Sequence, residues 1–104
     1  MDLSSLAGEV DKYIQTHGGY WDAGWLLAAI TEELGELSRA LQNFYEVRGL
    51  QSEEREKSKK MLIEEECGDL FFAFICLTNF LDINLEIALY KTLKKYKSRE
   101  NGLH

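Results

Sequence analysis

The chain predicts an all-α protein, a four-helix bundle-like protomer in which residues 1–104 form a single domain. Three observations carry that prediction. Proline is absent and 45% of the residues are apolar, so long helices run uninterrupted and a packed interior has material to build on. Apolar residues recur at spacings of three and four in four separate segments. An acidic decapeptide occurs twice, EELGELSRAL at 32–41 and EECGDLFFAF at 65–74, so that Glu32, Glu33, Gly35, Leu37 and Ala40 return as Glu65, Glu66, Gly68, Leu70 and Ala73, and Glu36 as Asp69.

The first helix is expected over 3–17, where Leu3, Leu6, Val10, Tyr13, Ile14 and His17 share one face. Gly18 and Gly19 end it. Tyr20 to Trp25 make a short aromatic connection, and Asp22 suits the N-cap of the second helix, 23–47. Leu27, Ile30, Leu34, Leu37, Leu41 and Phe44 form an unbroken seam there, the pattern of a helix packed nearly parallel or antiparallel to its neighbour. The adjoining stripe, Leu26, Ala29, Glu33, Glu36 and Ala40, places two carboxylates at the edge of the core between small residues. Arg48 and Gly49 suit the end of this helix, and Ser52 the start of the third.

The third helix opens with EEREKSKK, charged all round and expected to be solvated, with Glu53–Lys57 and Glu56–Lys60 in favourable order for pairing. Beyond it the seam returns as Ile63, Cys67, Leu70, Phe74, Leu77 and Leu81, beside a stripe of Leu62, Glu66, Asp69, Ala73, Cys76 and Phe80. Every residue from Leu70 to Leu77 is apolar, which calls for cover on all sides. Four helices of one chain do not supply it, so a homodimer, or a tetramer built from it, is expected. Asp82 or Asn84 caps the last helix, which has Ile87, Leu89, Leu93 and Tyr96 as its apolar face. Lys91, Lys94, Lys95, Lys97 and Arg99 crowd its final turns before Asn101 and Gly102 stop it.

A net charge of −6 argues against binding a nucleic-acid polymer or a membrane surface through a whole face. Cys67 and Cys76, nine residues apart on one helix, lie on opposite sides and cannot bond to each other. They read as buried free thiols of a reducing compartment. No secretory signal is legible and the apolar run 70–78 is too short to span a bilayer, so a cytoplasmic location is expected.

Residues three apart on a helix share a face, so Glu33 with Glu36, and Glu66 with Asp69, form two carboxylate pairs on two helices. Packed against each other, the helices would bring four like charges into one partly buried place, an arrangement that needs a cation. An all-oxygen donor set points to a hard ion, Mg²⁺, with Mn²⁺ as an alternative. Zinc would want Cys or His, and His17 and His104 stand away from both motifs. Neither motif has the Glu-x-x-His of a ferritin-like di-iron site. Acidic ligands together with a basic helix end are the parts needed to bind a polyphosphate and stabilise its developing charge.

EELGEL followed by EEECGDL resembles the ExxE and ExxD signature of the MazG-type nucleotide pyrophosphohydrolases, within the all-α NTP pyrophosphatase superfamily. The tail NLEIALYKTLKKYKSRE is similar to the family's segment carrying a Lys and, four residues later, an Arg. The resemblance implies Glu33, Glu36, Glu66 and Asp69 as Mg²⁺ ligands, and Lys95 and Arg99 as phosphate contacts, with Lys95 helping to neutralise the departing pyrophosphate. It also implies hydrolysis of a (d)NTP to a (d)NMP and pyrophosphate, in the manner of nucleotide-pool housecleaning. Tyr20, Trp21 and Trp25 precede the first acidic helix, where they either stack on a nucleobase, as the resemblance implies, or staple the helix entry to the core. Two other readings remain at this stage. One is phosphoribosyl-ATP pyrophosphohydrolase, disfavoured by Cys67, Gly68, Phe71 and Phe72 around the second motif; the other is a non-catalytic helical dimer acting as an interaction module.

Overall fold

The computed structural model describes residues 1–47 and 53–100, which form four helices and no strand: α1 Leu3–Gln15, α2 Ala23–Val47, α3 Glu53–Phe80 and α4 Leu85–Glu100. Local chemistry sets the helix ends. The Asp2 carboxylate accepts the Ser5 N–H at 2.7 Å to start α1, and Asp22 accepts the Trp25 N–H at 3.1 Å to start α2. For α4 the cap is Asn84, whose side chain accepts the Ile87 N–H at 3.0 Å. Asp82 instead sits in the preceding turn at φ +56°. After α1 the chain turns through Gly18 and Gly19, at φ +102° and +83°, where a Cβ would be strained. Arg48, Gly49, Ser52, Asn101 and Gly102 lie outside the described residues, as do the side chains of Glu53 and Glu56.

α2 and α3 make the main packed pair; α1 packs on α3 and touches α4. The buried apolar side chains are Leu26 and Ala40 from α2 and Ala73, Ile75 and Cys76 from α3. This corrects the expected packing. The stripe that carries the carboxylates lies at the centre of the α2–α3 contact, because Ala40 and Ala73 let the two backbones approach. Much of the leucine seam of α2 is left outside, with Leu27 56% and Leu34 54% exposed. The thiols divide as well, for Cys76 is buried but Cys67 is exposed on the open side of α3.

α4 leaves α3 at a bend of 103°. Its Ile87, Leu89 and Leu93 are each about half exposed. The radius of gyration is 17.4 Å, against about 13 Å for a compact chain of this length. The protomer is therefore an open arrangement whose apolar faces exceed what it buries by itself.

One polar junction joins α1, the α1–α2 turn and the end of α3. The Tyr20 hydroxyl donates to Asp11 at 2.7 Å, while Asn79 donates one N–H to the Tyr20 oxygen and another to the Ala7 carbonyl, both at 3.0 Å. Burial, followed by the hydrogen bond to Asp11, pushes the Tyr20 phenol up to about 12. Tyr20→Phe removes the centre of this junction and is expected to cost about 1–2 kcal/mol in urea unfolding. The same phenol loses its stabilising effect only as pH rises through about 12, above the 10 at which a free tyrosine ionises.

Candidate active site

Glu33 on α2 and Glu66 with Asp69 on α3 converge. Each offers a carboxylate oxygen within 4.8 Å of the other two. Glu66 and Asp69 stand three apart on one face, and the close α2–α3 approach at Ala40 and Ala73 brings Glu33 against them. Glu33 and Glu66 are half-buried and Asp69 is exposed. Glu36, the fourth expected member, points outward in an exposed pair with Arg39 at 3.4 Å. Glu32 and Glu65 are exposed on the flanks of the same helices.

Desolvation, and after it the charges of Asp69, Glu66 and their acidic neighbours, hold the Glu33 carboxyl above its ordinary value. Glu66 is raised by desolvation and then by Asp69, Glu36 and Glu65. A folded-state value above the unfolded one gives stability that is present at acid pH and lost as pH rises through the raised value. In a chelator, the melting temperature is accordingly expected to fall as pH rises above the ordinary carboxylate range and both groups ionise. A divalent cation reverses the fall, as thermal melts over that rise in pH will read.

The donor set fits a hard divalent cation: three carboxylates, all oxygen, with no sulfur or imidazole in the group.

Glu33 and Asp69 also stand on the wall of a cavity of about 300 Å³. Its other walls are mostly apolar: Ile14, Tyr20, Trp21, Leu26, Phe72 and Ala73 among them. Trp21, 63% exposed, lies at this cavity, whereas Trp25, 67% exposed in the first turn of α2, is not part of its lining. Lys95 and Arg99 are not part of it either. They bracket the Tyr96 ring on α4, at 5.2 and 5.6 Å from its centroid.

Sequence reasoning missed two contributors. Phe72 lines the cavity and meets Tyr13 of α1 edge to face at 6.1 Å. Asn79 holds Tyr20, and through it the cavity wall, in place. The signal for Asn79 was a lone amide closing an apolar run, seven residues and two turns beyond Phe72 on the same side of α3.

No single helix among the described residues is long and apolar enough to cross a membrane. Known proteins extend the picture. The sequence family of the MazG nucleotide pyrophosphohydrolase domain matches residues 24–104. The uncharacterized protein YpjD of Bacillus subtilis (strain 168) is 38% identical over 99 residues, spanning 94% of this chain and 86% of that protein. The crystal structure of the Bacillus-conserved MazG protein, a nucleotide pyrophosphohydrolase, superposes with a TM-score of 0.75 at 34% identity, over 92% of this chain and 89% of that one. The crystal structure of YpjD from Bacillus subtilis does so with a TM-score of 0.75 at 35% identity, over 95% and 96%. The matched stretch contains both acidic motifs and the basic tail, and the shared fold places the motifs on the two helices that pack together. The chain belongs to the MazG nucleotide pyrophosphohydrolase family, hydrolases of pyrophosphate bonds.

Proposed function

We propose that this chain is a Mg²⁺-dependent nucleoside triphosphate pyrophosphohydrolase that converts a (d)NTP and water to a (d)NMP and pyrophosphate. The observation that carries the reading is the convergence of Glu33, Glu66 and Asp69 beside an apolar cavity with an indole at it. A carboxylate cluster alone has no reason to adjoin a wall of Trp21, Tyr20 and Phe72. A substrate with a charged polyphosphate at one end and a flat aromatic base at the other requires both.

Glu33, Glu66 and Asp69 hold Mg²⁺ or Mn²⁺, with Glu36 joining them once it turns from Arg39. The bound ion supplies positive charge against the phosphate oxygens and acidifies coordinated water. Trp21 and Phe72 take the base, fixing the phosphate chain relative to the acids. Lys95 and Arg99 neutralise charge on the leaving pyrophosphate. The apolar surface left on α2, α3 and α4 is covered in a homodimer, or in a tetramer of such dimers. The free thiols and the nucleotide substrate suit the cytoplasm.

A panel of NTPs, dNTPs and phosphoribosyl-ATP with Mg²⁺, read as pyrophosphate release, tests the reading. Turnover of nucleoside triphosphates is the expected result; turnover of phosphoribosyl-ATP alone would assign the chain to that reaction instead. No turnover on any member would remove the assignment.

A further inference from the structure

We propose that Arg39 is a pyrophosphate-binding residue, its guanidinium held by Glu36 until a bound cation takes that carboxylate. This rests on the reaction proposed above and adds which side of the acidic cluster receives the leaving group. The cavity fixes the direction. Its walls use Leu26, Ala29 and Glu33 of α2 and Asp69, Ala73 and Cys76 of α3, while Glu36, Arg39 and Glu66 are not part of them. The cavity therefore lies on the N-terminal side of Glu33 and on the C-terminal side of Asp69, as two antiparallel helices require. A nucleotide with its base in this cavity and its α-phosphate at Glu33 and Asp69 must run its other phosphates the opposite way. That path leads past Glu66 and along α2 toward residue 39.

Arg39 is placed to meet them. It stands six residues beyond Glu33, about 9 Å along the helix axis, and helical side chains lean toward the N-terminus, here toward the cluster. Its Nη1 reaches back to Glu36 Oε1 at 3.4 Å. Glu36 in turn is near enough to Glu66 for its charge to help raise that carboxyl, so the guanidinium stands at the edge of the trio, on the side away from the cavity. Both partners of the pair are exposed, Arg39 71% and Glu36 46%, and a pair of this kind is weak. A divalent cation at Glu33, Glu66 and Asp69 carries twice the charge of a guanidinium and attracts Glu36 more strongly. Once Glu36 turns inward, Arg39 is left with a planar fork of donors beside the phosphates, the geometry that binds two phosphate oxygens at once. Lys12, paired with Glu9 at 3.6 Å on α1, is an exposed cation that belongs to neither the cavity nor the cluster, and it serves as the comparison.

Calorimetric titration with inorganic pyrophosphate in millimolar Mg²⁺ tests the assignment without requiring turnover. Arg39→Ala changes an exposed side chain and is expected to weaken that binding by more than about 10-fold. Arg39→Lys, which keeps the charge and loses the fork, should recover part of it. Lys12→Ala should leave the affinity within about twofold of the wild type, its charge being screened from the site. Titration with Mn²⁺ alone reads the other half of the inference. Arg39→Ala should bind the ion at least as tightly as the wild type, because nothing then competes for the Glu36 carboxylate. Unchanged pyrophosphate affinity in Arg39→Ala, an equal loss in Lys12→Ala, weaker Mn²⁺ binding by Arg39→Ala, or a wild type that does not bind pyrophosphate would each overturn the assignment. The proposed reaction fails separately. A wild type that turns over nucleoside triphosphates while Arg39→Ala keeps its pyrophosphate affinity removes Arg39 and leaves the reaction standing. A wild type that turns over none, yet binds pyrophosphate through Arg39, refutes the reaction and leaves the binding site standing.

Discussion

Glu33→Gln is expected to lower pyrophosphate release by at least about 100-fold while raising the melting temperature of the metal-free protein. The two effects have one cause. Glu33 is half-buried within 4.8 Å of the carboxylate oxygens of Glu66 and Asp69, and burial together with those charges disfavours its ionised form. Without a cation, the folded protein at neutral pH holds like charges together that the unfolded chain would separate. An amide keeps the shape and removes one of those charges, so the metal-free fold gains. It also removes one anionic ligand, so affinity for a divalent cation falls and activity falls with it. The opposite signs make the prediction specific, since a substitution that merely damaged the fold would lower both. Thermal melts in chelator and in millimolar Mg²⁺, beside initial rates at saturating Mg²⁺, read the two effects. The added Mg²⁺ should raise the wild-type melting temperature more than that of the variant. Retained activity, or a lower metal-free melting temperature, would contradict this role for Glu33.

The helices were legible because their signals are local. Asp22 before α2 and Gly18–Gly19 after α1 act on backbone groups a few residues away, and α2 falls at 23–47 as the pattern indicates. Which face of each helix is buried was less legible, because periodicity measures apolarity and not distance to a partner. The leucine seam of α2 is the more apolar face, yet the stripe with Ala29 and Ala40 allows the closer approach and is the one that α3 covers. Much of the seam is left exposed by that contact, with Leu27 and Leu34 more than half accessible. The acidic trio was readable from spacing, since three-residue repeats on two helices need only that the helices meet. The cavity beside it was not, for its walls come from α1, the α1–α2 turn, α2 and α3, which meet only in the folded chain. Nor could spacing say whether Lys95 shares a site with Asp69, because that depends on the turn between α3 and α4.

Phe71→Asp is expected to convert the protein to a folded monomer that has lost more than about 100-fold of its activity, although Phe71 is absent from the acidic cavity. In the protomer the side chain is 46% exposed and lines a groove of about 680 Å³ with Ile30, Leu34, Leu70 and Phe74. The fold of one copy therefore loses little when it is replaced, and the helical circular dichroism should persist. The groove belongs to the apolar surface that one copy leaves uncovered. A carboxylate placed there must either be desolvated without a partner, which costs several kcal/mol, or keep the second copy away. Sedimentation at micromolar concentration will show which occurs. Phe71→Leu, apolar and of similar reach, should retain both assembly and activity. A monomer with full activity would mean that one copy contains every group the reaction uses. A monomer without activity, with Glu33, Glu66 and Asp69 all intact, would show that turnover requires the covered groove.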